Sequence, residues 1–263
     1  MRICLVLLWM LALLSSCSTI TRESVTERKL SYENRDFKRR SADCQHDSTC
    51  AVFEVTFPVF NGIDTAIAAR IQREIELSFS MGDPEASTKS MSQIADEFIA
   101  SYEQFNKEMP ESGLGWYYKG NARVNVLEDT LLSIIVDEDY FTGGAHGGMG
   151  TYFINVNPST GAKVTLNDVL KPGYEEDLRS VGESIFREER KLADTASYQF
   201  NNYEFPNGSF ALNDNYGFAT DGIIFFFNNY EIAPYAAGPT EVFIPYDRIR
   251  KWLRTQSNTS KNS

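Results

Sequence analysis

The strongest constraint on the fold is a glycine-rich stretch at residues 139–150, DYFTGGAHGGMG, which joins two apolar runs. Residues 130–136 form a continuous β-prone run typical of a buried strand, and residues 151–156 form a second one. The join holds five glycines, far more than a tight hairpin needs, and glycine allows positive φ and close backbone approach. The pattern predicts either a long structural hairpin with His146 packed beneath it or a functional loop; no nucleotide-binding spacing is present.

The same stretch resembles a known family signature. Residues 140–147, YFTGGAHG, are similar to the Y-x-T-G-G-A-H-G signature of the RsiV-like extracytoplasmic domains. That family includes the ectodomain of the lysozyme-sensing anti-sigma factor RsiV and the accessory domain of PdaC-type peptidoglycan deacetylases. Residues 225–245 look like its C-terminal pattern, F-x-x-Y-E-I-A-P-Y-A-x-G-x-x-x-V-x-I-P, and the order and spacing agree over about residues 50–254. The resemblance implies two sequential RsiV-like subdomains and, in RsiV, a domain that binds a protein.

Hydrophobic periodicity predicts an α+β fold, with mainly antiparallel sheets and packed helices. Residues 53–59 alternate as a half-buried strand does, and residues 67–79 repeat apolar side chains every four positions after the helix-capping Asp64. A second helix is expected to start near Ser87 or Thr88, two separate strands at 116–118 and 123–127, and a closing helix at 246–254. The predicted subdomains are 51–160 and 161–254, followed by a disordered tail at 255–263.

The N-terminus predicts export and a lipid anchor. Residues 3–14 form an apolar core too short to cross a bilayer as a mature helix, as in a signal peptide spanning residues 1–16. The sequence LSSC at 14–17 resembles the bacterial lipobox, which implies acylation of Cys17; the alternative is a plain secretory peptide. Ser18 favours the outer membrane if the cell has two membranes. Residues 17–50 are polar and charged, so we expect a flexible tether there.

Two cysteines remain in the mature chain, Cys44 and Cys50. In an exported protein their spacing favours a local disulfide, worth about 2 kcal/mol in the chain-entropy model. The alternative is a metal site formed by Cys44, His46 and Cys50, which lacks an evident fourth ligand.

The charge pattern restricts the choice of partner. The formal net charge is −11 and the pI is near 4.8, which argues against nucleic acid and anionic membrane surfaces as ligands. A cationic partner would be attracted, although a plain solubility role explains the charge equally.

No H-E-x-x-H, G-x-S-x-G, S-x-x-K or Walker pattern occurs in the chain, but its 36 Asp and Glu residues leave acid–base catalysis by two carboxylates open. Asp137, Glu138 and Asp139 are interpreted as a charged strand end that faces water. His146 could act as a base, but a multi-histidine metal site is not expected, since His46 is the only other histidine. The chain is therefore expected not to be an enzyme and to need no cofactor; a peptidoglycan-modifying enzyme is the alternative.

Two loops, 142–148 and 230–238, are the candidate binding site. Tyrosine and proline offer rigid amphipathic contact area of the kind favoured at recognition surfaces, although they can also pin a loop onto its own sheet. The predicted ligand-binding residues are Thr142, Gly143, Gly144, His146, Tyr230, Glu231, Pro234 and Tyr235. By the resemblance to RsiV, the expected partner is a basic protein of the lysozyme type. Binding of a cell-wall glycan or muropeptide, with Trp116 as a stacking residue, is the alternative.

Overall fold

The first sheet has five strands in the order β1-β2-β3-β4-β5. The computed structural model describes residues 30–42, 46, 49–83 and 85–254. Neighbouring strands are antiparallel except β2 and β3, which are parallel because two helices connect them. The elements of this part are β1 (Ser31–Arg40), β2 (Ala51–Asn61), α1 (Thr65–Ser78), α2 (Met91–Glu108), β3 (Trp116–Leu127), β4 (Leu132–Phe141) and β5 (Gly148–Val156).

Helices α1 and α2 cover one face of this sheet, and the first hydrophobic core lies between them. The N-terminus of α1 is capped as predicted, since Asp64 accepts hydrogen bonds from the backbone N–H groups of residues 66 and 67. Helix α2 begins later than predicted, because Ser90 and Gln93 form a capping box, whereas residues 86–88 form a separate 3-10 turn. The two strands predicted at 116–127 are one continuous strand.

The second part of the chain forms a smaller antiparallel sheet with its own core. It contains α3 (Leu166–Val169), α4 (Glu175–Glu189), β6 (Tyr216–Phe218), β7 (Gly222–Phe227) and β8 (Thr240–Pro245), with strand order β6-β7-β8. Helix α4 packs against β8, and the second core holds buried aromatic residues such as Phe186, Phe210 and Phe225. The predicted α+β class with mainly antiparallel sheets is confirmed.

Side-chain amides join the two units. Strand β6 lies against the face of the first sheet that the helices leave uncovered. Asn155 Nδ2 donates to the carbonyl of Tyr216 and Asn125 Nδ2 to the carbonyl of Phe218, both at 2.8 Å. The backbone N–H of Phe218 donates to Ser133 Oγ at 3.2 Å, and this hydroxyl in turn donates to Asn155 Oδ1 at 2.8 Å. These bonds fix the position of the second sheet on the first.

The predicted tether does not extend to residue 50. Residues 31–40 form β1, whose side chains are mostly exposed and pair with polar groups of β2. Lys38 Nζ lies 2.8 Å from Glu54 Oε2, and Thr56 Oγ1 donates to Asp36 Oδ1 at 2.7 Å. Phe37 is the one partly buried apolar side chain of this edge strand that packs against the first core, so the strand has no apolar alternation by which sequence could reveal it.

The closing helix predicted at 246–254 is also wrong. This segment forms turns and one 3-10 turn, Arg250–Trp252. Its backbone is engaged with other segments: the N–H of Tyr246 donates to the carbonyl of Asp221, and Lys171 N–H donates to the carbonyl of Trp252. Those bonds replace the intrahelical pattern that a helix would require.

Several predictions lie outside the described residues, namely the signal peptide, the acylated Cys17, Cys44 and the tail at 255–263. Cys50 is buried and disulfide-bonded, while its predicted partner is outside the described ranges, so the pairing itself stays a prediction. Within the part of the chain that the structure describes, no helix combines the length and the apolar character needed to span a membrane.

Candidate functional site

The glycine loop, residues 142–147, connects β4 to β5 and depends on glycine at its first turn. Gly143 and Gly144 have φ values of +91° and +96°, a region that other residues rarely adopt. At the end of β4 the chain therefore turns out of the sheet through a backbone conformation that residues other than glycine rarely adopt.

Further glycines make room for aromatic rings beside the loop. A Cβ atom at Gly148 would overlap the ring of Tyr140, which lies opposite it on β4. A Cβ atom at Gly150 would lie 2.9 Å from Tyr152 Cε2 and 3.0 Å from Glu138 Oε1. The glycine-rich sequence thus serves two purposes, a turn with positive φ and a strand surface on which tyrosine rings rest.

A buried carboxyl group lies under these rings. Glu138 is 8% exposed, and Tyr118 Oη donates to its Oε2 at 3.0 Å. Burial raises the pKa of Glu138 despite opposing hydrogen bonds from Tyr118 and Tyr152, and burial beside this carboxyl raises the pKa of Tyr152 to about 12. Within the described residues, no ion pair to Glu138 is found.

The interpretation of residues 137–139 as a water-facing strand end is therefore wrong for Glu138. Asp137 and Asp139 do point to the other face, where Arg123 lies 2.6 Å from Asp137 and Tyr117 Oη donates to Asp139 at 3.1 Å. Strand alternation places Glu138 on the face of Ile134 and Val136, so the period of two contained the signal that would have identified it.

His146 is exposed and stacks on the second loop instead of packing beneath the hairpin. Its ring centroid lies 5.0 Å from that of Tyr235 at an interplanar angle of 25°, and Tyr235 in turn lies 5.5 Å from Tyr230. Tyr230 and Tyr235 are 63% and 38% exposed. We call this set, His146, Tyr235 and Tyr230, the aromatic ladder. The structure thus brings the two predicted loops together.

The second loop is held on β5 by amide hydrogen bonds. Asn228 Oδ1 accepts from the N–H of Thr151 at 2.8 Å, and Asn228 Nδ2 donates to the carbonyl of the same residue at 3.1 Å. Asn215 Nδ2 also donates to that carbonyl, at 2.8 Å. The turn after β7 has Tyr230 at a φ of +69°, which directs its ring toward solvent.

The remaining predicted residues occupy different positions. Glu231 accepts from the N–H of Asn228 at 2.9 Å and from Asn213 Nδ2 at 2.6 Å, so its carboxylate closes the turn. Pro234 is exposed and precedes the 3-10 turn Tyr235–Ala237. Gly144 is exposed, whereas Thr142 and Gly143 lie on the side of the glycine loop that faces Trp116.

On that opposite side the glycine loop rests on aromatic residues of the first core. A Cβ atom built at Gly143 would lie 3.5 Å from Trp116 Nε1 and 3.7 Å from Phe105 Cζ. The loop is therefore held between Trp116 on one side and Tyr235 on the other. Sequence reasoning singled out Trp116 only as an exposed stacking residue, but its ring is partly buried.

The described residues contain no cluster of histidine, cysteine or carboxylate groups that could hold a metal ion. A cavity of about 600 Å³ lies where the two units meet and is lined by Glu128, Lys163, Asp168, Tyr246 and Arg254 among others. Because its charged groups are of both signs, it indicates no preference for an anionic or a cationic ligand.

Comparison with known proteins agrees with this division into two units. Residues 44–149 match the family model "Deacetylase PdaC", and residues 167–247 match "Protein of unknown function (DUF3298)". No curated protein matches the chain.

The solved structures of two DUF3298 family proteins share the fold. One, from Bacteroides fragilis NCTC 9343, is 20% identical with a TM-score of 0.69; the match covers 87% of this chain and 95% of that one. The other, from Pseudomonas aeruginosa PAO1, is 21% identical with a TM-score of 0.61, covering 87% and 96% respectively. The chain thus carries a PdaC-like unit followed by a DUF3298-like unit, arranged over nearly its whole described length as in these two structures.

Proposed function

We propose that this protein is an extracytoplasmic binding module of the cell envelope and that its ligand docks on the aromatic ladder. The observation that carries the proposal is that the rings of His146, Tyr235 and Tyr230 contact one another in a row, the first two stacked and the last two tilted, and yet are exposed. Stacked rings lose little conformational entropy when a partner covers them, and exposed tyrosines are enriched at recognition surfaces.

The ligand that we propose is a basic protein, with lysozyme-type muramidases as the leading candidate. The net charge of −11 supports this choice, because it speeds encounter with a cationic protein. The resemblance of the two loop motifs to the RsiV-like domains supports it as well. We also propose that acylation of Cys17 anchors the domain in the envelope, at the outer membrane if the cell has two membranes.

Titration of the soluble domain with hen egg-white lysozyme, by calorimetry or biolayer interferometry, tests the proposal directly. We expect binding that weakens with ionic strength, because charge attraction is screened beyond about 8 Å at physiological salt. Replacement of Tyr230 and Tyr235 by alanine should raise koff more than it lowers kon, since the ladder contributes contact area and little charge.

Phe200→Ala is the matched control, since Phe200 is an aromatic residue that is 92% exposed and lies in the second unit, outside the ladder. It should leave both rate constants unchanged. Absence of lysozyme binding at low and moderate salt would end the lysozyme proposal. If the domain instead sediments with purified peptidoglycan, and the two tyrosine substitutions abolish this, the ladder is a site for cell-wall glycan.

A further inference from the structure

A second cavity, of about 280 Å³, lies on the side of the glycine loop away from the aromatic ladder. Its floor consists of buried or partly buried aromatic rings from the first core, Phe53, Phe98 and Trp116, which pack on one another. Thr142 of the glycine loop and Ser101 of α2 lie at its rim. This volume is at the small end of ligand sites, so it suits a single apolar group and not an extended ligand.

The cavity is adjacent to a buried donor without an acceptor. Trp116 Nε1 is shielded from solvent, and no hydrogen-bond partner for it exists among the described residues. A buried indole N–H usually has a partner, because leaving it unsatisfied costs roughly 1–3 kcal/mol. Because the same burial keeps an external acceptor from Nε1, the indole takes part in the cavity through its ring, and its signal reports on any group that enters.

The rim carries an adaptable side chain. Met81 is 40% exposed and has a φ of +55°, an uncommon conformation for a residue other than glycine. Methionine fills irregular gaps because its side chain is unbranched and polarizable, and it can therefore close over groups of different shape.

The charge at the rim is net negative. Asp83 and Glu97 both line the cavity, and Lys89 Nζ lies 2.7 Å from a carboxylate oxygen of each. One ammonium group between two carboxylates leaves one negative charge uncompensated. A basic group next to the apolar one would therefore be favoured, which agrees with a cationic ligand.

We propose that this cavity binds an apolar side chain of a protein ligand and that a basic residue follows it in the ligand's sequence. The inference rests on the proposed function only in taking the ligand to be a basic protein. The cavity and the aromatic ladder lie on opposite sides of the glycine loop, so a ligand that occupies both would contact the loop on both sides.

The test uses small amides in place of a protein, so it reports on the cavity whether or not lysozyme binds. In ¹H–¹⁵N spectra of the ¹⁵N-labelled domain, N-acetyl-leucinamide should shift the Trp116 indole signal in a saturable way. N-acetylglycinamide, which lacks the apolar group, should not. The dissociation constant should be on the order of millimolar, as for any ligand of this size. The Trp252 indole is an internal control, because its Nε1 donates to Asp177 at 2.8 Å.

Two substitutions separate the cavity from the rest of the surface. Ser101→Leu should fill the rim and abolish the shift, whereas Glu103→Leu, on an exposed position of the same helix, should not. Trp116→Phe identifies the indole signal by its loss. N-acetyl-leucyl-argininamide should bind more tightly than N-acetyl-leucyl-glutamamide with a free γ-carboxylate.

No shift at concentrations on the order of 10 mM would overturn the proposal. So would equal shifts from the leucine and glycine amides, or an unaltered response in Ser101→Leu. A shift produced by N-acetylglucosamine and not by N-acetyl-leucinamide would assign the cavity to a sugar and likewise overturn the proposal. Because none of these outcomes involves lysozyme, they remain distinct from failure of the proposed function.

Discussion

Glu138 carries a carboxyl group that the fold buries, although such a group is normally exposed to water. Two tyrosine hydroxyls donate to its carboxyl group, but no described cation compensates the charge that it carries when ionised. Burial therefore raises its pKa in the folded state above the value in the unfolded chain. Such a group stabilises the fold fully below its unfolded pKa, and this contribution is lost as the pH rises through the folded pKa.

Glu138→Gln should therefore be more stable than the wild type at neutral pH. The difference should shrink as the pH falls toward about 4.5, the ordinary range for a glutamate, because both side chains are then neutral. Thermal unfolding between pH 4 and pH 8 measures it. Asp129→Asn, at an exposed position, is the control and should show no such trend. A stability difference that does not change with pH would mean that ionisation of Glu138 does not destabilise the fold.

The glycine loop shows at the level of one element how local conformation serves the site. Its positive-φ residues set the exit angle from β4, and the loop then contacts Trp116 on one side and Tyr235 on the other. A change of conformation at the turn would therefore displace contacts on both sides at once.

Gly144→Ala should lower stability by about 1 kcal/mol, which corresponds to a Tm decrease of roughly 2–4 °C for a domain of this size. The cause is backbone strain alone, because no atom lies within 4 Å of the added Cβ. Gly208→Ala is the matched control, since Gly208 in the second unit has a φ of +70° and equally open surroundings. Calorimetric unfolding should show similar losses for both, while only Gly144→Ala should weaken ligand binding. If the two variants bind the ligand with equal affinity, the glycine loop is not part of the binding site.

Much at this scale could be predicted from the sequence, and the failures have physical causes. The hairpin around the glycine loop and the Asp64 cap follow from strong local signals, strand propensity and a side-chain hydrogen bond. Strand β1 could not be predicted, because a mostly exposed edge strand whose one partly buried apolar side chain is Phe37 has no apolar period. The contact between His146 and Tyr235 joins residues far apart in sequence, so no local pattern contains it.

For the whole molecule, the two units are joined both by side-chain amides and by apolar contacts, since Val126 and Leu131 of the first unit belong to the second core. Asn155 is central, since it both donates to Tyr216 of β6 and accepts from Ser133 of β4. It is only 6% exposed, so removing its amide leaves buried polar groups without partners.

Asn155→Ala should cost about 1–3 kcal/mol and loosen the coupling between the units. Each unit holds one tryptophan, Trp116 in the first and Trp252 in the second, so single-tryptophan variants report on them separately. Urea unfolding of the wild type should give coincident transitions, whereas Asn155→Ala should give two distinct midpoints. The exposed Asn121→Ala is the control and should behave as the wild type does. Coincident transitions in the Asn155 variant would show that other contacts hold the units together.

The amide of Asn228 has a consequence for how the first sheet can associate. Its oxygen and nitrogen bind the N–H and the carbonyl of Thr151, the same pair of groups that a sixth strand would engage. One side chain thus acts as a surrogate strand and blocks lateral growth of the sheet along β5. The second unit therefore covers part of an edge of the first sheet to which a strand of another copy could otherwise add.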